Sequence, residues 1–303
     1  YLICIFLIGI PIMVSEIVIG RFARKSPINA MATAASKSNA SRKWQLVGWM
    51  GVVAGFMILS FYAVIAGWVL SYVFQLGSGV FVGISGESAE QIFKGFVGNV
   101  WEVLAWFTIF LAITVVISAR GVSAGLEVAV KYLMPILFFL LVVLVIYAAV
   151  TSGHFLEGVN FLFSFNFEKL TWNSVLEAMG QAFFTLSLGM GAIMAYGAYM
   201  PKDASVIGTA TMIALMDTGV ALMSGLVIFP LVFANSLESS AGPGLMFITL
   251  PLAFGQMVGG QIFGCVFFVL VAFAAVTSAI SLIEPAIAWL IEKLKTSRRV
   301  AAL

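Results

Sequence analysis

Charge is scarce in this chain. Only 9% of its 303 residues are charged, 62% are hydrophobic and the mean hydropathy is +1.12. Soluble domains carry roughly a quarter charged residues, so a water-soluble enzyme with a single core is excluded. Histidine is nearly missing, and His154 alone cannot make a histidine-based metal cluster. The two cysteines, Cys4 and Cys265, both lie in apolar runs, so neither a disulfide framework nor a zinc site is indicated. Ten-residue segments of alternating polarity are lacking, which argues against a membrane β-barrel. The sequence also opens at Tyr1, inside an apolar run, without methionine, signal sequence or polar leader. It therefore reads as an internal piece of a longer membrane protein, incomplete at both ends.

What the chain has in abundance is long apolar stretches. Seven stand out, near 1–20, 48–76, 103–119, 132–151, 179–200, 206–233 and 263–291. Each is long enough to cross a bilayer, where only a helix satisfies its own backbone hydrogen bonds. A single all-α integral membrane domain over 1–303 follows. Basic residues set its orientation. Arg21, Arg24, Lys25, Lys37, Arg42 and Lys43 precede the second stretch. Arg120, Lys131, Lys202, Lys293, Lys295, Arg298 and Arg299 fall on the same side, leaving Lys94 and Lys169 opposite. The acids Glu87, Glu90, Glu102, Glu157, Glu168, Glu177 and Glu238 gather on the poorly basic side. Tyr1 is thus expected outside and the C-terminus in the cytoplasm.

Three carboxylates interrupt these stretches, and an ionisable group in a membrane marks a site by default. Asp217 is the deepest, and no Lys or Arg lies in any stretch to pair with it. It needs a cation, a proton or a ring of donors. Glu16 lies near a helix end and is compatible with a snorkelling role. Glu284 precedes Pro285 and is compatible with a polar plug at a kink. The fifth stretch contains Thr185-Leu-Ser-Leu-Gly-Met-Gly191, with glycines and polar side chains where a helix should cross mid-membrane. A break near Ser187–Gly191 would expose backbone groups, which is tolerated only beside a polar cavity. Close packing through small residues is the alternative. In the seventh stretch, Ala274, Thr277, Ser278 and Ser281 could offer oxygen ligands to a hard cation. Alternatively, the hydroxyls bond back to their own helix. Phe61-Tyr62 places a phenol halfway across the second stretch, where its hydroxyl needs a partner.

Taken in order, these segments resemble the neurotransmitter:sodium symporter family, and its bacterial amino-acid transporters in particular. The resemblance runs through Gly9-Ile10-Pro11, Glu16, Gly20-Arg21, Phe61-Tyr62 to Trp68, and Arg120-Gly121. It continues through Gly125-Leu126-Glu127, Met134-Pro135, Gln181 to Gly191, Phe247-Ile248-Thr249-Leu250-Pro251 and Thr277-Ser278. It implies a leucine-transporter-like inverted-repeat bundle with a discontinuous helix, of which the seven stretches form the family's second to eighth helices. The other discontinuous helix, the family's first, would then lie outside the chain.

The resemblance also implies roles. Tyr62 would hold a substrate carboxylate, Phe184 would close over the substrate, and Ser187 with nearby carbonyls would receive its amine. Ile58, Met190 and Leu282 would line the side-chain pocket, with Ser278 at its edge. Thr185 and Asp217 match ligand positions for one sodium ion. Ala274, Thr277 and Ser278 match a second. Glu16 would steady the unwound backbone around Gly189 and Gly191. Many members carry Asn where Asp217 stands, and the animal ones need chloride nearby. A fixed carboxylate, with Ala221 one turn on, implies transport without chloride. The apolar pocket implies a hydrophobic or aromatic L-amino acid. Sodium-coupled symport by alternating access in a plasma (inner) membrane is therefore expected, with a cap over 234–262 and no nucleic-acid partner.

The rival expectation is a seven-helix receptor without transport activity. A retinal protein is excluded because stretch 263–291 holds no lysine. No repeated filter sequence suggests a channel, and no nucleophile–base pair suggests an enzyme.

Overall fold

Without water to pair with, backbone N–H and C=O groups close into helices, and helices make up the architecture. The computed structural model describes residues 1–120, 127–164, 170–234 and 242–303, with no strand among them. Among the described residues, six helices are long and apolar enough to cross a membrane: Leu2–Ala23, Arg42–Gly77, Val100–Ala119, Met134–Thr151, Val206–Ala234 and Gly260–Leu294. The seventh expected stretch, 179–200, is two shorter helices with a gap between them. Gly121, Gly125, Leu126, Glu168, Lys169 and Glu238 lie outside the described residues.

The first membrane-length helix joins α1 (Leu2–Cys4), a π-helical turn (Ile5–Gly9) and α2 (Ile10–Ala23). Arg24 ends α2 in the left-handed conformation, and α3 (Pro27–Lys37) follows with Pro27 at its start. A proline suits the first helical turn, where its missing N–H has no partner to lose. The α3 helix buries Ile28, Ala30 and Ala35 and packs on α2 and on α4 (Gln45–Gly77). After it come α5 (Gly86–Gly98), α6 (Val100–Ala119), α7 (Glu127–Thr151) and α8 (Phe155–Phe163). Side-chain caps set several of these starts: Ser85 accepts the Ser88 N–H, and Asn99 accepts that of Glu102.

The broken pair is α9 (Trp172–Thr185) and α10 (Ala192–Tyr199). Beyond it lie α11 (Val206–Ala234), α12 (Leu250–Gln256), α13 (Gly260–Leu294) and α14 (Arg298–Ala302). Within the expected cap region, the Phe247–Pro251 run is helical and packed rather than loose. Phe247, Leu250 and Phe254 are buried against α4 and α13. There Trp68, Tyr72, Phe93 and Phe268 surround Phe247 with ring centroids 5.0–6.2 Å away. This aromatic cluster fixes one end of α4 against α13, whose contact is the most extensive in the molecule. Near the start of α4 the packing residues are small, Gly51 and Gly55, and the broken helix approaches there.

Candidate functional site

A capping box between Thr171 and Ser174 starts α9, and its α-helical hydrogen bonding stops after Thr185. Through the gap, Ser187, Gly189 and Gly191 take φ values of 54°, 78° and 76°. Glycine reaches that left-handed region freely, which is why the Gly-Met-Gly run breaks the helix. The break lies at 186–191, where the glycines and Ser187 led us to expect it. It is held from two sides. The Gly189 N–H donates to Glu16 Oε1 at 2.7 Å. Glu16 is therefore not at an open interface; it is only 8% exposed and turned into the break. Opposite, α4 presents Gly51, where a Cβ would stand 2.9 Å from the Gly189 carbonyl oxygen. Only glycine permits that approach.

A cavity of about 250 Å³ opens beside the break. Ile58 and Tyr62 come from α4, Gln181, Phe184 and Thr185 from α9, and Ser187 and Met190 from the break. Asp217 comes from α11, and Ser278 and Leu282 from α13. All seven residues expected around a substrate thus line one space, together with Thr185 and Asp217. Its two ends differ chemically. Ile58, Met190 and Leu282 form an apolar wall. At the other end the Thr185 hydroxyl donates to Asp217 Oδ2 at 2.7 Å. The Tyr62 hydroxyl faces Ser278, and the Tyr1 phenol lies beside Thr185, Asp217 and Thr218. Among the described residues, no lysine or arginine lines the cavity. A neutral or cationic group is therefore favoured near the carboxylate, and an apolar side chain against the far wall.

The other expected cation ligands are less closely gathered. Thr277 Oγ1 donates to the Ala274 carbonyl at 2.9 Å, the back-bonded arrangement that hydroxyls in helices often adopt. Ser278 lines the cavity, whereas Ala274 and Thr277 do not. Chemically the sets suit a hard cation, since all donors are oxygen and one is a carboxylate.

Sequence reasoning missed two features. Gln181 lines the cavity one turn before Thr185, and its only signal was membership of the same polar run. The larger omission concerns Glu284. This carboxylate is fully buried, and Arg298 of α14 folds back to grip it through both terminal nitrogens. Arg298 Nε also donates to the Ser118 carbonyl at 2.8 Å, and the Tyr199 hydroxyl to Glu284 Oε1 at 2.9 Å. Burial works to lower the Arg298 pKa, but Glu284 and Tyr199 together more than offset it and hold the guanidinium above its ordinary value. Glu284 is therefore one half of an ion pair at the basic end of the bundle, not a lone plug at a kink. Beside it, the Tyr196 and Ser281 hydroxyls meet at 2.8 Å, tying α10 to α13 a second time.

Comparison with known proteins gives concordant results. The model of the sodium:neurotransmitter symporter family matches residues 89–302. An uncharacterized sodium-dependent transporter of Bacillus subtilis, YhdH, is 41% identical over 278 residues, covering 92% of this chain and 60% of that protein. A sodium-dependent transporter of Haemophilus influenzae is 35% identical, covering 98% and 66%. The chain thus spans less than two thirds of the length of these relatives. The crystal structure of MhsT in complex with L-phenylalanine is similar over the whole chain and 68% of MhsT, with TM-score 0.90 and 44% identity. The bundle is leucine-transporter-like, and these relatives are sodium-dependent transporters rather than enzymes.

Proposed function

Because this chain belongs to the sodium:neurotransmitter symporter family, we propose that it carries the core of a site for sodium-coupled symport of a hydrophobic or aromatic L-amino acid. The observation that carries this reading is the single cavity in which a broken helix, a phenol, an apolar wall and a carboxylate meet. An amino acid would lie along it with its carboxylate toward the Tyr62 hydroxyl and its ammonium toward Ser187 and the free backbone of the break. Its side chain would rest on Ile58, Met190 and Leu282, with Ser278 at the edge. The thioether of Met190 adapts to bulky rings. Phe184, half exposed at the cavity's mouth, is placed to close over the ligand. That MhsT was solved with L-phenylalanine supports the choice of side chain.

Sodium enters as a co-transported substrate. One ion would use Thr185 and Asp217, and a second Ala274, Thr277 and Ser278. At the first position the ion would neutralise Asp217 and draw Thr185 toward it, completing the polar end before the amino acid binds. Glu16 would hold Gly189, and so the break, in register. Gly189 and Gly191 supply the backbone conformation that exposes it. The carboxylate of Asp217 would stand in for an anion, making chloride unnecessary. Alternating access then requires the Tyr1 end to face outward and the basic end to face the cytoplasm, with residues 234–262 capping the outer side. In a receptor without transport, neither the break nor Asp217 would have a task.

The test is uptake into proteoliposomes holding the protein under an inward sodium gradient. Phenylalanine, leucine or tryptophan should accumulate in chloride-free buffer, and replacing sodium with potassium should abolish uptake. Glycine or glutamate outcompeting leucine and tryptophan would refute the assigned pocket. Asp217→Asn should make uptake chloride-dependent or abolish it. Unchanged chloride-free uptake by that variant would refute the role of the carboxylate.

A further inference from the structure

A second concavity is larger than the one beside the break. A basin of about 1230 Å³ lies on the face that carries most of the basic residues. Four cations line it: Arg24, Lys25, Lys37 and Arg42. Its floor is the polar side of α3, including Asn29 and Thr33, whose opposite side buries Ile28, Ala30 and Ala35. The helix therefore lies as a ledge between the ends of α2 and α4, with Lys37 at its last turn, Arg24 and Lys25 before it and Arg42 just after it.

Among the described residues, none of these four cations stands within ion-pair distance of a carboxylate. The ion pairs among the described residues are Lys94–Glu90 and Arg298–Glu284, and neither belongs to the basin. One carboxylate does reach it, that of Glu292, but its oxygens are occupied. Oε1 accepts the Ser26 N–H at 2.6 Å, while Oε2 accepts the Ser26 hydroxyl at 2.7 Å and the Asn29 amide. Lys25 Nζ donates to the Thr33 hydroxyl at 3.3 Å, and Lys37 Nζ lies 4.9 Å above the Phe22 ring. Arg24 touches the Ala198 carbonyl at 3.1 Å. A concave surface with four cations, hydroxyl and amide donors and an engaged acid is built to receive a multiply charged oxyanion.

We propose that this basin binds the phosphate headgroup of an anionic phospholipid. The lipid source, rather than a soluble phosphate, follows from position. The basin opens where α2 and α4 leave their apolar spans, beside exposed Phe22, Trp44, Leu46 and Val47 that suit acyl chains. Basic pockets at that level between membrane helices recognise lipid headgroups. A bisphosphate headgroup such as that of cardiolipin would engage Lys25 and Arg24 with one phosphate and Lys37 and Arg42 with the other. This inference does not depend on the transport reading, because its readout is lipid binding and not uptake.

The experiment is native mass spectrometry of the protein released from micelles containing graded cardiolipin, compared with phosphatidylcholine. The unmodified protein should retain cardiolipin in preference to phosphatidylcholine. Lys25→Gln/Lys37→Gln/Arg42→Gln removes three exposed charges from the basin. Each basic residue near an anionic surface adds about fivefold to binding, so this variant should bind on the order of a hundredfold more weakly. Lys43→Gln/Lys293→Gln/Lys295→Gln removes as much charge from the same face outside the basin and should change retention little. Equal losses in both variants would show diffuse attraction and overturn the site, as would no preference in the unmodified protein. Displacement of the lipid by low-millimolar inorganic pyrophosphate would overturn the lipid source in favour of a soluble phosphate. Circular dichroism of each variant separates these outcomes from misfolding.

Discussion

Replacing Arg298 with methionine tests whether the Glu284 pair closes the basic end of the bundle. Methionine keeps the aliphatic bulk and removes every donor. Glu284 would retain the Tyr199 hydroxyl on Oε1, while Oε2 and the Ser118 carbonyl lose their donors. Glu284 is fully buried and Arg298 four-fifths buried, so solvent cannot replace the guanidinium. Breaking a buried pair from one side costs about 3–5 kcal/mol. At a few degrees per kcal/mol, the unfolding midpoint in detergent should fall by on the order of 10 °C. Glu284→Gln combined with Arg298→Met should recover much of that loss, because the stranded charge is gone. The double-mutant cycle should then show a coupling of about 1–3 kcal/mol. A fall of less than about 2 °C in the single variant, or additive effects in the cycle, would refute the coupling. Either result would return Glu284 to the role of an isolated kink residue.

The break offers sharper discrimination. Gly189→Ala meets no neighbour and suffers only its positive φ, about 1–2 kcal/mol. Gly191→Ala adds a Cβ 3.1 Å from the Pro27 ring, so its unfolding midpoint should fall further, and equal midpoints would contradict the packing. Glu16→Gln keeps an acceptor for the Gly189 N–H, whereas Glu16→Ala strands that donor at about 1–3 kcal/mol. Hydrogen exchange at the Gly189 amide should therefore stay slow in the first and become fast in the second. Gly20→Ala would drive a Cβ onto the Met194 carbonyl and should separate α2 from α10, visible as loss of the folded monodisperse species.

How much of this could be read from the residues depended on whether the signal ran along the chain or across it. The break was legible because its cause is local: glycines at 189 and 191, beside polar Ser187 and set mid-membrane, admit left-handed backbone without steric cost wherever they fold. The cavity was legible in part. Polar residues at mid-depth named Asp217, Thr185 and Tyr62, but their convergence with Ile58 and Leu282 came from the family resemblance, since linear position gives depth and not facing. Glu16 shows the same limit: its place in the chain is compatible with either an interface or the break, and only the approach of α10 to α2 decides. The Glu284–Arg298 pair was invisible for a related reason. Fourteen residues separate the two, across a left-handed Lys295 that turns the chain back, so no helical period links them. Within the expected cap over 234–262, the packing of Phe247 on Trp68 and Tyr72 was not legible, because no local period links residues so far apart in the chain. Gly51 and Gly55 complete the pattern. As sequence they form an ordinary small-residue stripe, compatible with any tight helix contact. In the fold each faces a backbone carbonyl, Gly51 that of Gly189 and Gly55 that of Leu282. The stripe therefore sets how close the scaffold helix stands to both the broken helix and α13, and so sets the width of the cavity between them. Side chains supply the chemistry of this site, but two missing ones set how closely α4 meets the break and α13.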